Sequence, residues 1–182
     1  MIQIAGNEIP NLINELTIEQ FDKLFEIDSD QSLDTIEKWI AKFTYLGADE
    51  SVFDDLDLEQ FTEYIKRWND QPMNLPEKVL SIEIDGYTYE AKENIGVNDR
   101  GLSGKVWRGL PSERCAQTLA IVFKRKDLTK VEHYAPAHIK KKTKLFTKVN
   151  AEIAIPYMTE ILRKINNITE KKVEEVTTEV TE

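Results

Sequence analysis

The sequence predicts an α+β protein that is mostly α-helical. Three observations carry this. A phrase with helix-opening chemistry occurs twice, as Leu16-Thr17-Ile18-Glu19-Gln20-Phe21 and Leu56-Asp57-Leu58-Glu59-Gln60-Phe61. Apolar residues recur at helical spacing in both halves of the chain. Between the halves, two strand-like runs are joined by Asp85-Gly86, a type I′ hairpin signal. The expected organisation is an N-terminal helical unit (1–70), a linker, β-hairpin and glycine-containing loop (71–110), a C-terminal basic helical unit (111–168) and a disordered acidic tail (169–182).

Residues 1–15 read as a short lead broken at Pro10 and Asn11. The first helix starts after Thr17, an N-cap type, with Gln20 three residues on to complete a capping box. Leu16 and Phe21 supply a hydrophobic staple. Ile18, Phe21, Leu24 and Phe25 form its apolar stripe, and Asp28-Ser29-Asp30 ends it. A second helix begins near Ser32 or Leu33 and uses Leu33, Ile36, Trp39, Ile40, Phe43 and Leu46, stopping at Gly47. Asp49 to Phe53 fits one helical turn. The third helix repeats the opening chemistry at Asp57 and Gln60 and runs through Leu58, Phe61, Tyr64, Ile65 and Trp68. Its last turn carries Lys66 and Arg67, which suit the negative end of the helix dipole.

Pro72 and Pro76 bracket a linker. The hairpin pairs Val79–Ile84 with Tyr87–Ala91 and needs helices or another strand edge for support. Gly96, Gly101 and Gly104 predict a flexible loop from about Asn94 to Lys105. A helix follows through Arg114, Thr118, Leu119, Ile121, Val122 and Phe123, closed by Lys124, Arg125 and Lys126. Residues 127–135 read as a connector. Ala137 to Val149 reads as a basic helix with a sparse stripe at Ile139, Leu145, Phe146 and Val149. Asn150 or Ala151 opens a final helix, in which Pro156 marks either a kink or the first turn. From Thr169 the tail is expected to be mobile.

The chain's 182 residues carry a net charge of −9, unevenly spread. Residues 1–110 hold 10 basic and 23 acidic side chains, whereas residues 111–164 hold 12 and 5. Such opposed surfaces attract one another within a molecule or between neighbours. No run approaches the ~20 apolar residues of a membrane span. The first residues lack a signal-peptide pattern, and Cys115 is the sole cysteine, so a cytoplasmic setting is the default expectation.

Catalytic and cofactor motifs are not expected. Gly104-Lys105 resembles part of a phosphate loop, but Asp99 stands where its first glycine belongs and Val106 replaces the Mg²⁺-binding hydroxyl. His133 and His138 lack ligand spacing to Cys or carboxylates, so no metal site is expected. Cys115 reads as a buried structural thiol. No cofactor is implied. The aromatic set Trp39, Trp68, Phe21, Phe43, Phe61 and Tyr64 reads mostly as core.

Candidate interaction residues remain. Lys140, Lys141, Lys142, Lys144 and Lys148 lie on or beside one helix, with Lys124, Arg125 and Lys126 upstream. This stripe suits nucleic-acid phosphates or an acidic protein surface; lysine rather than arginine implies diffuse electrostatics, and the sparse aromatics favour protein. Trp107 either anchors the glycine loop or docks on a partner, and Asp99 and Arg100 are further contact candidates.

The order of parts resembles a known class. The Leu-Thr-Ile-Glu-Gln-Phe opening, the helical pair ending in Gly47 with acidic Val52-Phe53-Asp54-Asp55-Leu56, the strand pair around Asp85-Gly86 and the apolar helix ending in basic residues span roughly 12–165. This layout is similar to that of small late-region structural and assembly proteins of tailed bacteriophages, crAss-like phages included. Some of these are tail assembly chaperones, others virion or cargo proteins. The resemblance implies a non-enzymatic assembly or virion component. Its partners would be other phage structural proteins or further copies of itself, and its location the virion or the host cytoplasm during assembly. A nucleic-acid-associated protein is the alternative. An enzymatic site built from Asp99, Arg100 and the histidines ranks behind both.

Overall fold

A computed structural model describes residues 1–4, 6–10, 13–70, 76–93, 96–108, 113–161 and 163. Most of the linker and the expected mobile tail lie outside these residues. The fold is α+β and mostly helical, as the sequence predicts. Two short strands open it, β1 (Ile2–Ile4) and β2 (Asn7–Ile9), paired antiparallel around Gly6, whose φ is +87°. The sequence reading assigned no strands there. Ile4 and Ile9 are fully buried, so this small hairpin closes over the core.

Helices α1 (Ile18–Ser29) and α3 (Leu58–Asn69) start at the two repeated phrases, and both capping boxes form. Helix α2 (Thr35–Tyr45) also has one, from Asp34 and Glu37, and starts two or three residues after the expected Ser32 or Leu33. Gly47, at φ +113°, lets the chain leave α2 in the left-handed region. A 3₁₀ turn over Glu50–Phe53 matches the expected helical turn. Phe43 is the centre of this unit, with Trp39, Phe53, Phe61 and Trp68 at centroid distances of 5.4–6.3 Å.

Strands β3 (Ser81–Ile84) and β4 (Tyr87–Ala91) form the predicted hairpin, with Asp85 and Gly86 at φ 51° and 75°. The expected loop after it is corrected by the structure: Val97–Arg108 is a helix, α4, despite its internal glycines. Ser103 is fully buried and α4 packs on the next helix, so tertiary burial overrides the weak local propensity. A second correction concerns the following helix, α5 (Arg114–Val122), which stops before Phe123. Phe123–Arg125 instead forms β5, antiparallel to β4, giving the hairpin the third strand it needs. Lys124, Arg125 and Lys126 are therefore not a helix terminus. The expected connector holds a short helix, α6 (Lys130–Tyr134), with a Thr129–Glu132 capping box. Then come α7 (Pro136–Phe146), a 3₁₀ turn over Ala151–Ile153 and α8 (154–161), with Pro156 in its first turn.

Helix α5 lies at the centre, with Cys115, Ala116 and Thr118 through Val122 all buried, and α1, α4 and α7 packed around it. One apolar cluster runs from Ile18, Phe43 and Phe61 to Leu119, Phe146 and Tyr157, joining both halves of the chain. Hydrogen bonds do the same. Ile18 and Glu19, the first residues of α1, donate N–H to Val149 and Thr147 carbonyls just past α7, at 2.8 and 2.9 Å. The start of one helix is thus satisfied by the end of another.

The start of α5 is satisfied from a distance too. Glu113 precedes it at φ 62° and gives no side-chain cap. Asp22, 3% exposed on α1, accepts from the N–H groups of Cys115 (2.8 Å) and Ala116 (3.2 Å). Burial raises the Asp22 carboxyl, and these bonds partly oppose that. Burial beside Asp22 pushes the Cys115 thiol far above its ordinary value, as befits an inert structural cysteine.

Replacing Asp22 by Ala orphans two buried N–H groups. Urea unfolding of Asp22→Ala is expected to show a loss of about 2–4 kcal/mol, with Asp22→Asn losing less because one acceptor remains. A change under about 0.5 kcal/mol would show that the cap is dispensable.

Candidate functional site

The densest polar cluster in the described core lies at the other end of α5. A helix C-terminus leaves carbonyls without intrahelical partners. Because α5 runs straight into β5, these carbonyls stay inside the protein rather than reaching water. Three residues supply the donors. The Lys92 backbone N–H reaches Val122 O at 3.2 Å, and its Nζ reaches Ile121 O at 2.9 Å. His133 Nε2 lies 3.1 Å from the same Ile121 oxygen. Lys142 Nζ donates to Phe123 O at 2.7 Å. Positive groups at this end also suit the helix dipole.

Proton positions follow from the acceptors. Ile121 O only accepts, so His133 Nε2 carries the ring proton. His133 Nδ1, 3.1 Å from Lys142 Nζ, then accepts from Lys142. The ring is neutral: burial, reinforced by nearby Lys142 and Lys92, lowers its pKa to about 3. Burial likewise lowers the Lys142 pKa to about 7. Both side chains are essentially inaccessible, at 1% and 0% exposure.

Lys92 uses all three ammonium donors: Ile121 O, Asp99 Oδ1 at 2.6 Å and the Tyr134 hydroxyl at 2.8 Å. That hydroxyl donates to Asp99 Oδ1 at 2.6 Å, and Asp99 Oδ2 accepts from Gly96 N–H at 3.0 Å. Burial alone would raise the Asp99 carboxyl, but the bonds from Lys92 and Tyr134 hold it below its ordinary value. Burial lowers Lys92 against the pull of Asp99. Every donor of this triangle is engaged internally, so its evident work is to tie α4, α6 and β4 to the end of α5.

Beside the triangle, a cleft of about 700 Å³ opens between α4, α5, α6 and α7. Its walls are apolar at Leu102, Val106, Ile121, Pro136 and Ile139, with the Tyr134 ring among them. Lys105, Lys140, Glu113 and Gln117 supply most of its polar character.

The expected interaction residues separate into distinct groups. Lys140, Lys141, Lys144 and Lys148 are exposed on α7 or just beyond it. Lys142 is not part of that surface but is buried in the cap described above, a correction set by its place between Ile139 and Phe146 on the inward face. Arg125 is half-buried, forked onto Asp127 at 2.6 and 2.9 Å and stacked on Tyr87 at 4.4 Å. Lys126 pairs with Glu90 across the sheet at 3.3 Å, and Lys124 is half-buried. Asp99 is buried at 3% exposure, so it does not face a partner. The side chains of Arg100 and Trp107, on α4, lie outside the described residues.

The sequence reading missed Asp22, Lys92 and Tyr134. For Asp22 and for the role of Lys142 a signal existed, a charged residue on an apolar stripe: Asp22 is four residues after Ile18, and Lys142 is three after Ile139 and four before Phe146. Lys92 and Tyr134 carry no such mark. Among the described residues no group of three His, Cys, Asp or Glu is placed to hold a metal ion, and no helix is long and apolar enough to cross a membrane. No protein-family model, curated protein or solved structure matches the chain.

The buried lysine gives a pH signature. Between the folded value near 7 and the ordinary lysine value, the unfolded chain holds a proton that folded Lys142 releases. Stability therefore rises as pH increases through this window, by at most about 1.4 kcal/mol per unit. Denaturant unfolding from pH 7.5 to 9.5 is expected to show this rise, and Lys142→Met to flatten it. Equal slopes in the two proteins would mean that Lys142 stays charged when folded.

Proposed function

We propose that this protein works by binding other macromolecules rather than by catalysing bond changes, as an assembly or virion component of a tailed bacteriophage. The phage assignment rests on the layout described from the sequence, of which the helix openings and the strand pair form and the basic helix end does not. The observation that carries the binding mode is the division of labour among the charged groups. Asp22, Lys92, Asp99, His133 and Lys142 are spent on backbone groups and on one another inside the protein. Lys140, Lys141 and Lys144 on α7, with Lys148 just past its end, are instead exposed and make no ion pair with any described residue.

This lysine row meets an acidic surface well. The acidic N-terminal part of a neighbouring copy is one such surface, and another late phage protein is a second. The same row supports the alternative reading, contact with nucleic-acid phosphates. The site of action would be the virion or the host cytoplasm during assembly.

Mass spectrometry of purified particles, together with crosslinking in infected cells, tests this function. The chain is expected in particles or crosslinked to a late phage protein, with crosslinks reduced severalfold by Lys140→Glu with Lys144→Glu. Absence from particles and from such crosslinks would overturn the assembly reading. Gel shifts separate the alternative: phosphate binding weakens steeply with salt, by a log–log slope of about −0.9 per contact on duplex DNA, and no shift at low salt removes it.

A further inference from the structure

The cleft between α4, α5, α6 and α7 is unexplained by the cap network that forms its floor. Its volume of about 700 Å³ is that of a small-molecule site, which commonly falls within about 300–1,000 Å³. Its walls divide by chemistry. Leu102 and Val106 of α4, Ile121 of α5, and Pro136 and Ile139 of α7 offer apolar surface to a ligand body. Tyr134 adds only its ring, because its hydroxyl already donates to Asp99 and accepts from Lys92.

The polar lining points to an anion. Lys105 comes from α4 and Lys140 from α7, both exposed, and neither forms an ion pair among the described residues. The Gln117 side-chain amide likewise makes no hydrogen bond to another described residue, so it is a further donor. Among the described lining residues Glu113 is the single acidic group, against two lysines, which leaves these residues one net positive charge. One anionic head group on an apolar body matches this balance.

We propose that this cleft binds a small amphipathic carboxylate of the medium-chain fatty-acid type. Its chain lies against Val106, Ile121 and Ile139, and its carboxylate is held by Lys105, Lys140 and the Gln117 amide. The site shares Lys140 with the lysine row proposed above, but Lys105, Gln117 and the apolar walls lie outside that row.

Calorimetric titration of the full chain with decanoate, decanol and decyltrimethylammonium tests it. Decanoate is expected to bind saturably at one site, about tenfold tighter than decanol, with the cation weakest. Lys105→Met with Lys140→Met should remove most of the preference for decanoate while keeping decanol binding. Val106→Trp should obstruct the apolar wall and weaken binding of both about tenfold or more, with thermal unfolding confirming that each variant is folded. No saturable binding below about 1 mM, equal affinity for decanoate and decanol, or binding indifferent to Val106→Trp in a folded protein would each overturn the proposal.

Discussion

A helix buried along its whole length must have its ends satisfied by the protein, because water cannot reach them. Helix α5 is buried at both ends and over most of its length, and most of the described polar groups of the core are arranged around it. A carboxylate from α1 takes the N–H groups at one end. The amino groups of Lys92 and Lys142 and a neutral imidazole take the carbonyls at the other. The charges follow the helix dipole, negative at the N-terminus and positive at the C-terminus. Each bond joins residues 12 to 94 positions apart in sequence, so the caps of α5 require the tertiary structure.

This arrangement explains why Lys92, Asp99, Tyr134 and His133 gather at one end of α5 with their hydrogen-bonding groups turned on the protein itself. Lys92 has no donor left over, and His133 is held in one tautomer between a carbonyl and Lys142. A buried polar network of this kind is costly when any member is removed, because its partner groups are left buried and unpaired. The surface keeps the charge that remains. Lys140, Lys141, Lys144 and Lys148 stay in solvent, while Arg125 and Lys126 are drawn into local pairs around the sheet.

Much of the fold was legible because it is encoded locally. Thr17 with Gln20 and Asp57 with Gln60 specify helix starts through bonds spanning three residues. Asp85-Gly86 specifies its turn through backbone freedom at two positions. The failures lie where distant residues decide. Glycines at 101 and 104 argue against a helix, yet α4 forms against α5. Phe123 continues an apolar helical run by pattern but becomes a strand because β4 offers a free edge. In the candidate site, the exposed lysines of α7 were readable from sequence. The cleft was not, since its lining comes from four helices.

By itself the sequence determined the class of the fold, its capped helices, its central hairpin and the charge contrast between its halves, because each follows from neighbouring residues or from composition. Only the tertiary structure decided that Lys142 is a cap rather than a surface charge, that Asp22 serves a helix more than ninety residues away in sequence, and that four helices enclose a cleft. The physical reason is burial. Whether a charged side chain meets water or an orphaned backbone group depends on what packs over it, and no local pattern records that.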